Sequence, residues 1–240
     1  MKLIYVALIV IIVIALALFY YLLNSQTQSI TLPKGVKFSQ QYCMNAVPNI
    51  TAMRIAINAG IMCYRTDISL NPAEENFVAN LSKSGASFLG ILDYDTVGAV
   101  PSPQGCVSGC NWTLSDWNAS VYNAMIAYPE ITTWEIWNEP FISNYRDGYQ
   151  NGSALNYFNL VRSAYTIIKS KEPNSTIVCF GGAQLFPNQT VSAEYQFYEA
   201  VWGYGVANYC DAVSVHSYGP PQGFNYSINL YENLTHKPIW

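Results

Sequence analysis

The chain has 240 residues, of which 51% are hydrophobic, 15% aromatic and only 11% charged, and its formal net charge is −4. This composition is ample for one buried core and is too apolar for a disordered chain. The eleven basic residues are spread along the chain and form no basic cluster. DNA and RNA are therefore excluded as expected partners.

The first 23 residues are predicted to form a transmembrane anchor. Residues 3–23 are an unbroken run of apolar and tyrosine residues behind Lys2, long enough to span the ~30 Å hydrocarbon layer as a helix. The small-x-small triplet Ala15-Leu16-Ala17 lies inside this run, which favours an uncleaved anchor, with secretion after signal-peptide cleavage as the alternative. The next basic residue is Lys34, so the positive-inside tendency predicts that the rest of the chain faces outward.

Beyond the anchor, residues 24–34 are interpreted as a polar linker and residues 35–240 as one domain. Asn-x-Ser/Thr triplets are frequent in the domain and agree with a glycosylated, extracellular-facing surface. These triplets begin at Asn49, Asn80, Asn111, Asn118, Asn151, Asn174, Asn188, Asn225 and Asn233.

The cysteines are predicted to have structural roles. Cys106 and Cys110 lie in a Gly/Pro/Ser-rich loop, where a disulfide or a pair of metal thiolates would fit, and the absence of a second such pair or a nearby histidine favours the disulfide. Cys63 and Cys179 lie in apolar strands and are predicted to be small buried hydrophobic residues.

Extended and helical segments alternate from residue 35 onward, which is typical of parallel β/α construction. The predicted strands are 35–40, 61–67, 86–93, a fourth ending at 139, 174–180 and 211–218, with 237–240 opening a seventh. Helices are predicted from 49 or 51 to 59, 71 to 84, 115 to 128, from 153 onward and 192 to 202, whereas 224–235 is predicted as a looser segment or short helix. This order predicts a TIM (β/α)8-type barrel that is incomplete at its C-terminus.

The fourth predicted strand carries the most informative motif, Trp134-Glu135-Ile136-Trp137-Asn138-Glu139-Pro140. Apolar residues lead directly into Asn-Glu-Pro, and the proline cannot continue a central strand. Because the carboxyl ends of parallel strands face the ligand crevice, a carboxylate at this end is positioned for chemistry.

This motif resembles the fourth-strand motif of the clan A retaining (β/α)8-barrel glycosidases, which include the β-xylosidase/α-L-iduronidase family and the cellulases. The resemblance implies that Glu139 is the general acid/base and that Asn138 hydrogen-bonds the sugar 2-hydroxyl. It also implies that Arg65 orients the nucleophile and that His216 and Tyr218, in Val-His-Ser-Tyr-Gly, contact the sugar or the nucleophile. A carbohydrate substrate and no metal or organic cofactor are expected.

Structural interpretations of the same residues stay open. Glu139 would then cap a helix or pair with Arg146, Asn138 would only form a turn, and Arg65 would form an ion pair with Asp67 or another acidic neighbour. His216 would be a satisfied core histidine. Glu135 is predicted as a buried, hydrogen-bonded carboxylate, because alternation places it on the same face of the strand as Glu139 but deeper. Asp93 and Asp95 would bind sugar hydroxyls or act as caps.

One departure from the family pattern concerns the nucleophile. The family's nucleophilic glutamate follows an opening of the seventh strand such as Lys237-Pro238-Ile239-Trp240, and no residue of this chain occupies that position. We therefore expect little or no hydrolysis by these 240 residues alone, with a missing C-terminal segment or a second chain completing the barrel. The alternatives are a carbohydrate-binding pseudoenzyme and a structural cell-surface protein.

Overall fold

The computed structural model describes residues 43–45, 50–102, 105–108, 111–141, 153–186, 193–216 and 218–240. The predicted anchor (1–23), linker (24–34) and first strand (35–40) lie outside these residues, as does Arg146. Within the described ranges, no helix combines the length and apolarity needed to cross a bilayer.

A six-stranded parallel sheet forms the centre of the domain. Its strands follow one another in chain order, each hydrogen-bonded to the next. They are β1 (Met44–Asn45), β2 (Cys63–Asp67), β3 (Ser87–Leu92), β4 (Thr133–Ile136), β5 (Thr176–Ala183) and β6 (Ala212–His216). Sequential parallel order with helical crossovers is the construction of a (β/α) barrel.

Helices connect the successive strands. They are α1 (Ile50–Asn58), α2 (Pro72–Lys83), α3 (Leu114–Ala127), α4 (Ala154–Lys171), α5 (Ala193–Gly203) and α6 (Pro221–Thr235), and a short 3-10 helix spans Val206–Tyr209. The connection between β3 and α3 also contains a small antiparallel hairpin of Val100–Ser102 and Gly105–Ser108.

The sheet is an open part of a barrel in the described residues. A parallel bridge joins Val213 of β6 to Ile239, and the backbone N–H of Trp240 donates to the carbonyl oxygen of Val213 at 2.8 Å. The predicted opening of a seventh strand therefore lies beside β6, as expected from the sequence. The fold is an α/β half-barrel of six strands, consistent with the predicted incomplete TIM barrel.

Local sequence signals explain where several helices begin. Asn71 caps α2 by accepting from the backbone N–H of Ala73 at 2.9 Å, with Pro72 in the first turn. Glu74 lies three residues after Asn71, at capping-box spacing, but its carboxylate accepts a hydrogen bond from Ser69. Thr113 and Asp116 form a complete capping box at the start of α3.

The segment predicted as a looser segment or short helix, 224–235, is part of the regular 15-residue helix α6. Its buried face consists of Gly223, Ser227, Tyr231 and Thr235 at four-residue spacing. Apart from Tyr231, this stripe has none of the large apolar side chains that usually mark the buried face of a helix.

The prediction for Cys63 and Cys179 was wrong in its chemistry. Cys63 forms a disulfide with Cys43, and Cys179 forms one with Cys210. Both bridges link segments that are distant in sequence but meet at paired strands or their connections, so the positions of the cysteines in the sequence did not indicate the pairing.

Alternation along the strands separates two packed layers. Trp134 and Ile136 of β4 are fully buried, whereas Glu135 between them has the opposite orientation, as successive residues of a strand must. On the inner side, Leu89, Ile91, Val178 and Ala212 form an apolar cluster. The polar residues of the candidate site lie toward the carboxyl ends of the strands.

Candidate functional site

Four of the predicted site residues meet at the carboxyl ends of three strands. Arg65 belongs to β2, Asn138 and Glu139 follow β4, and His216 ends β6. Together with Glu135 of β4, they form a connected polar group that we call the arginine cluster. The sequence separation within it reaches 151 residues, between Arg65 and His216.

An ion pair forms the base of the arginine cluster. Nε of Arg65 donates to Oε2 of Glu135 at 2.6 Å, and the side chain of Glu135 is only 1% exposed. Ser214 Oγ donates to Oε1 of the same carboxylate at 2.7 Å. Both oxygens of Glu135 are therefore partnered, which confirms the predicted buried, hydrogen-bonded carboxylate and offsets the cost of burying its charge.

Burial lowers the pKa of Arg65, but the charge of Glu135 and its hydrogen bond more than offset this effect, so the pKa of Arg65 lies above its ordinary value. The guanidinium is consequently a fixed positive charge at this depth. Its predicted ion-pair partner Asp67 contributes only through its charge, because the direct contact is with Glu135.

The remaining guanidinium nitrogens of Arg65 reach three further groups. Nη2 donates to Oδ1 of Asn138 at 2.9 Å and lies 3.3 Å from Nε2 of His216, while Nη1 donates to Oδ1 of Asn45 at 3.2 Å. A guanidinium can only donate, so Nε2 of His216 must accept. This geometry assigns the neutral tautomer of His216 that carries its proton on Nδ1.

His216 connects the guanidinium to Glu139. Its Nδ1 lies 2.9 Å from Oε1 of Glu139, so the tautomer just assigned donates to that carboxylate. The Glu139 side chain is 9% exposed. Tyr218 is different, because it is 78% exposed and its hydroxyl lies 3.3 Å from Nδ1 of His216. Tyr218 therefore stands at the solvent edge of the group.

The backbone after β4 has an unusual conformation. Trp137 has φ 70° and Glu139 has φ 48°, a left-handed region that costs about 1–2 kcal/mol for an L-residue other than glycine. Two hydrogen bonds stabilise it: the N–H of Trp137 donates to Leu92 O at 2.8 Å, and the N–H of Glu139 donates to Gly181 O at 3.2 Å. Such strain is common where a side chain must have one orientation.

The end of β5 contacts the same group through glycine. Gly181 has φ 49°, and a Cβ there would lie 2.9 Å from Oε1 of Glu135 and 3.3 Å from the backbone N of Glu139. Its N–H donates to Ser214 Oγ at 2.7 Å. The absence of a side chain at position 181 lets β5 approach both carboxylate-bearing positions of β4.

Ser214 was missed by the sequence analysis. It lies two residues before His216 in β6, on the same face of the strand, and this alternation was the signal that could have identified it.

Glu194, in the first turn of α5, is a second missed residue. Burial, followed by the charge of Glu139, raises the pKa of Glu194 to about 7. Its Oε1 is buried, and no described residue forms a hydrogen bond with it. The carboxyl group of Glu194 on α5 therefore interacts electrostatically with Glu139.

A cavity of about 660 Å³ opens beside the arginine cluster. Its lining includes Arg65, Glu135, Ser214, His216, Tyr218 and Trp240. Asn138 and Glu139 are not lining residues, and Glu139 adjoins the cavity through its contact with His216. This volume is in the range of small-molecule and sugar-sized sites.

The order of the parallel strands and the helices between them define the class of fold: it is that of a (β/α) barrel, of which the described residues form an open part. Solved structures that resemble the chain in fold include several glycoside hydrolases. No protein-family model and no curated protein matches the sequence.

Three solved structures illustrate the similarity. A glucosidase from Croceicoccus marinus is 12% identical with a TM-score of 0.60, and the match covers 88% of this chain and 52% of that one. A fungal β-1,4-galactanase is 15% identical with a TM-score of 0.58, and the match covers 84% of this chain and 73% of that one. The GH53 catalytic domain of Ignisphaera aggregans is 17% identical with a TM-score of 0.56, and the match covers 85% of this chain and 62% of that one. The chain thus spans about half the length of the glucosidase.

Proposed function

We propose that this chain is the acid/base half of a retaining glycoside hydrolase that cleaves O-glycosidic bonds of oligo- or polysaccharides, with Glu139 as the proton donor. The observation that carries the proposal is the contact of Glu139 with His216, which in turn contacts Arg65, so that three predicted residues from β2, β4 and β6 converge. In glycosidases a carboxylic acid at a strand end protonates the departing oxygen.

In the proposed step, the Glu139 carboxyl group donates its proton to the glycosidic oxygen while the bond from that oxygen to the anomeric carbon breaks. The leaving sugar departs as an alcohol, and Glu139 becomes a carboxylate. A second carboxylate attacks the anomeric carbon and forms a covalent glycosyl intermediate. Glu139 then removes a proton from a water molecule whose oxygen attacks the anomeric carbon. The bond from that carbon to the second carboxylate breaks, so the sugar is released with a new hydroxyl group and Glu139 is an acid again.

The neighbouring residues have distinct proposed roles. His216 donates from Nδ1 to Glu139 and so fixes the direction of its carboxylate. Asn138, whose Oδ1 is occupied by Arg65, presents its amide NH₂ group to the sugar 2-hydroxyl. Tyr218 is exposed at the edge of the cavity and contacts the bound sugar.

The second carboxylate of the proposed mechanism belongs after the strand that opens at Ile239. The resemblance puts the nucleophile a few residues beyond Trp240, which is outside these 240 residues. Glu135 is a poor substitute, because both of its oxygens are already partnered and its side chain is only 1% exposed. We therefore expect the chain alone to lack hydrolysis while keeping acid assistance.

An external nucleophile makes this proposal testable on the chain as it is. Azide can attack the anomeric carbon in place of the absent carboxylate, and Glu139 would protonate the departing alcohol. A panel of aryl glycosides with leaving groups of increasing pKa is incubated with azide, and glycosyl azide is quantified. Glu139→Gln should reduce product about 100-fold or more for the most basic leaving groups and little for dinitrophenol, which departs without protonation.

The matched control is Glu199→Gln, an equally conservative change at an exposed position of α5. It should leave every azide rate unchanged. Equal rates for wild type and Glu139→Gln across all leaving groups would contradict the acid role. Saturable sugar binding without any azide product would favour the carbohydrate-binding pseudoenzyme instead, for which the 660 Å³ cavity is the supporting feature.

We also propose that the domain works outside the cytoplasm, held by its N-terminal segment to a membrane. The Cys43–Cys63 and Cys179–Cys210 disulfides support an oxidising compartment. Exposed asparagines of the glycosylation triplets, including Asn80, Asn111 and Asn225, support access to modifying enzymes. Mass spectrometry of the protein from its native membrane fraction, before and after enzymatic deglycosylation, tests both points, and a fully reduced, unmodified soluble chain would contradict them.

A further inference from the structure

Three carboxylates lie at the carboxyl ends of β2 and β3, in a group we call the aspartate cluster. Asp67 ends β2, while Asp93 and Asp95 follow β3. One oxygen from each lies within 4.8 Å of the others. Asp93 is fully buried, whereas Asp67 and Asp95 are partly exposed, so the group is open to solvent on one side.

An orphaned oxygen distinguishes this group from an ordinary acidic surface. Asp93 Oδ1 accepts from the backbone N–H of Asp95 at 3.0 Å, but Asp93 Oδ2 is buried and has no hydrogen-bond partner among the residues that the structure describes. Leaving a buried carboxylate oxygen unpaired is costly, and native proteins satisfy nearly all such atoms. A bound ion is one of the few partners that would satisfy an oxygen at this depth.

Negative charge in the aspartate cluster is also unbalanced. In the part of the chain that the structure describes, no lysine, arginine or histidine forms an ion pair with Asp67, Asp93 or Asp95. The charge of Arg65 acts on Asp67 and Asp93, but its Nε already pairs with Glu135 at 2.6 Å. Glu74 adds further negative charge nearby.

We propose that Asp67, Asp93 and Asp95 form a binding site for a divalent cation of the calcium type. Carboxylate oxygens are the ligands of hard cations, and two oxygens bound to one Ca²⁺ lie no more than about 5 Å apart. The three carboxylates of the cluster, which lie within 4.8 Å of one another, meet this condition. Backbone carbonyls and water supply the remaining ligands. The inference is independent of the proposed glycosidase activity.

Calcium is expected to bind more tightly than magnesium. Mg²⁺ retains several of its waters and is usually bound by only one or two carboxylates, whereas Ca²⁺ accepts a larger and less regular set of oxygen ligands such as these three carboxylates. The cation would link the end of β2 to the loop after β3. In that loop the ring of Tyr94 packs edge-on against the ring of Trp137, with 6.3 Å between the ring centroids. Cation binding is therefore expected to stabilise the carboxyl ends of β2 and β3.

Terbium luminescence and thermal unfolding test the proposal on the full chain. Tb³⁺ replaces Ca²⁺ at oxygen sites, and Tyr94, between Asp93 and Asp95 in sequence, is positioned to sensitise its emission. We expect sensitised emission that Ca²⁺ displaces at lower concentration than Mg²⁺. Saturating Ca²⁺ at pH 7 should raise Tm by on the order of 5 °C.

Asp95→Asn and Asp67→Asn should reduce the terbium signal at least 10-fold and abolish most of the Tm increase, whereas Glu199→Gln should leave both unchanged. Asp95→Asn keeps the backbone N–H that bonds Asp93, so it is expected to fold, and its circular dichroism without calcium verifies this. No calcium effect on the wild-type protein, or an undiminished effect in the folded Asp95→Asn variant, would overturn the proposal.

Discussion

Arg65 and Asp67 lie two residues apart on the same face of β2, yet they belong to opposite electrostatic environments. In the arginine cluster, one guanidinium serves Glu135, Asn138 and Asn45, and each oxygen of the buried Glu135 has a donor. In the aspartate cluster, three carboxylates lie close together, and Asp93 Oδ2 has no donor in the described part of the chain.

The comparison shows that depth alone does not decide what a buried charge costs. Glu135 and Asp93 are both 0% exposed, but only Glu135 has a cation and a hydroxyl to replace water. Burial, followed by the charges of Asp67 and Asp95, raises the pKa of Asp93 well above its ordinary value. In the arginine cluster the protein itself supplies partners for the buried carboxylate, whereas the aspartate cluster favours binding of a proton or a metal ion.

The strongest way to break the comparison is to remove the guanidinium. Arg65→Met should lower the free energy of unfolding by about 3–5 kcal/mol, because Glu135 would remain buried without its counter-charge. Urea denaturation at pH 7 measures the change. Arg65→Met combined with Glu135→Gln should recover most of the loss, and a cost below about 1 kcal/mol for the single variant would show that the ion pair is not needed.

A backbone change should have the next largest effect. Gly181→Ala would bring a Cβ to 2.9 Å from Oε1 of Glu135 at a φ of 49°, so we expect a loss of about 2–3 kcal/mol. Gly203→Ala is the matched control, because nothing lies within 4 Å of its Cβ position at the end of α5. Chemical denaturation of both variants should show a loss only at Gly181, and equal stability would contradict the close approach of β5.

The pH dependence of stability should distinguish the aspartate cluster. Burial, then the charges of Asp67 and Glu74, raises the pKa of Asp95 from 3.8 to about 6. Between these pH values the folded protein binds a proton at Asp95 that the unfolded chain has released. The contribution of Asp95 to the free energy of unfolding is therefore largest at low pH and falls as pH rises toward 6. Because Asp95 is partly exposed, its share is only on the order of 1 kcal/mol.

Denaturation at pH 4.5 and 7 with a calcium chelator measures this slope. Asp95→Asn should be more stable than wild type at pH 7 and should show a flatter pH dependence, although Asp67 and Asp93 keep part of it because their pKa values are raised in the same direction. The opposite sign, with wild type gaining stability over this interval relative to the variant, would mean that Asp95 has a cationic partner.

The smallest effect on stability is expected at the exposed edge of the arginine cluster. Tyr218 is 78% exposed, so Tyr218→Phe should change the free energy of unfolding by no more than about 0.5 kcal/mol. The azide-dependent rate should nevertheless fall several-fold, because the hydroxyl near His216 is removed from the cavity edge. A large stability loss with an unchanged rate would make Tyr218 a structural residue.

Much of the fold could be predicted from local signals. Residues such as Asn71 at a helix start, and the positive-φ glycines Gly60 and Gly85 just after two helix ends, are local signals, so the predicted ends of α1 and α2 lie within a residue or two of the observed ones. Helix α6 was predicted only as a looser segment or short helix, since its buried stripe of Gly223, Ser227, Tyr231 and Thr235 contains one large side chain. The disulfide partners depend on strand pairing that no local pattern records.

The candidate site was predictable where a motif marked it. The resemblance selected Arg65, Glu139 and His216, and the structure brings these residues into one hydrogen-bonded group. The supporting residues were not predictable in the same way. Glu194 lies on helix α5 and interacts with Glu139, and Ser214 lies in the middle of β6 and donates to Glu135. Both contacts depend on packing between elements that are distant in sequence, so no local pattern indicates them.

The proposal that Glu139 delivers a proton to a glycosidic bond is tested most directly by a crystal structure of this chain with an uncleavable thio-oligosaccharide. The account predicts the sugar in the cavity lined by Arg65 and His216, with a Glu139 carboxylate oxygen in contact with the bridging sulfur and the amide of Asn138 near a 2-hydroxyl. A sugar bound elsewhere on the domain, or one that leaves Glu139 in contact only with His216, would contradict it.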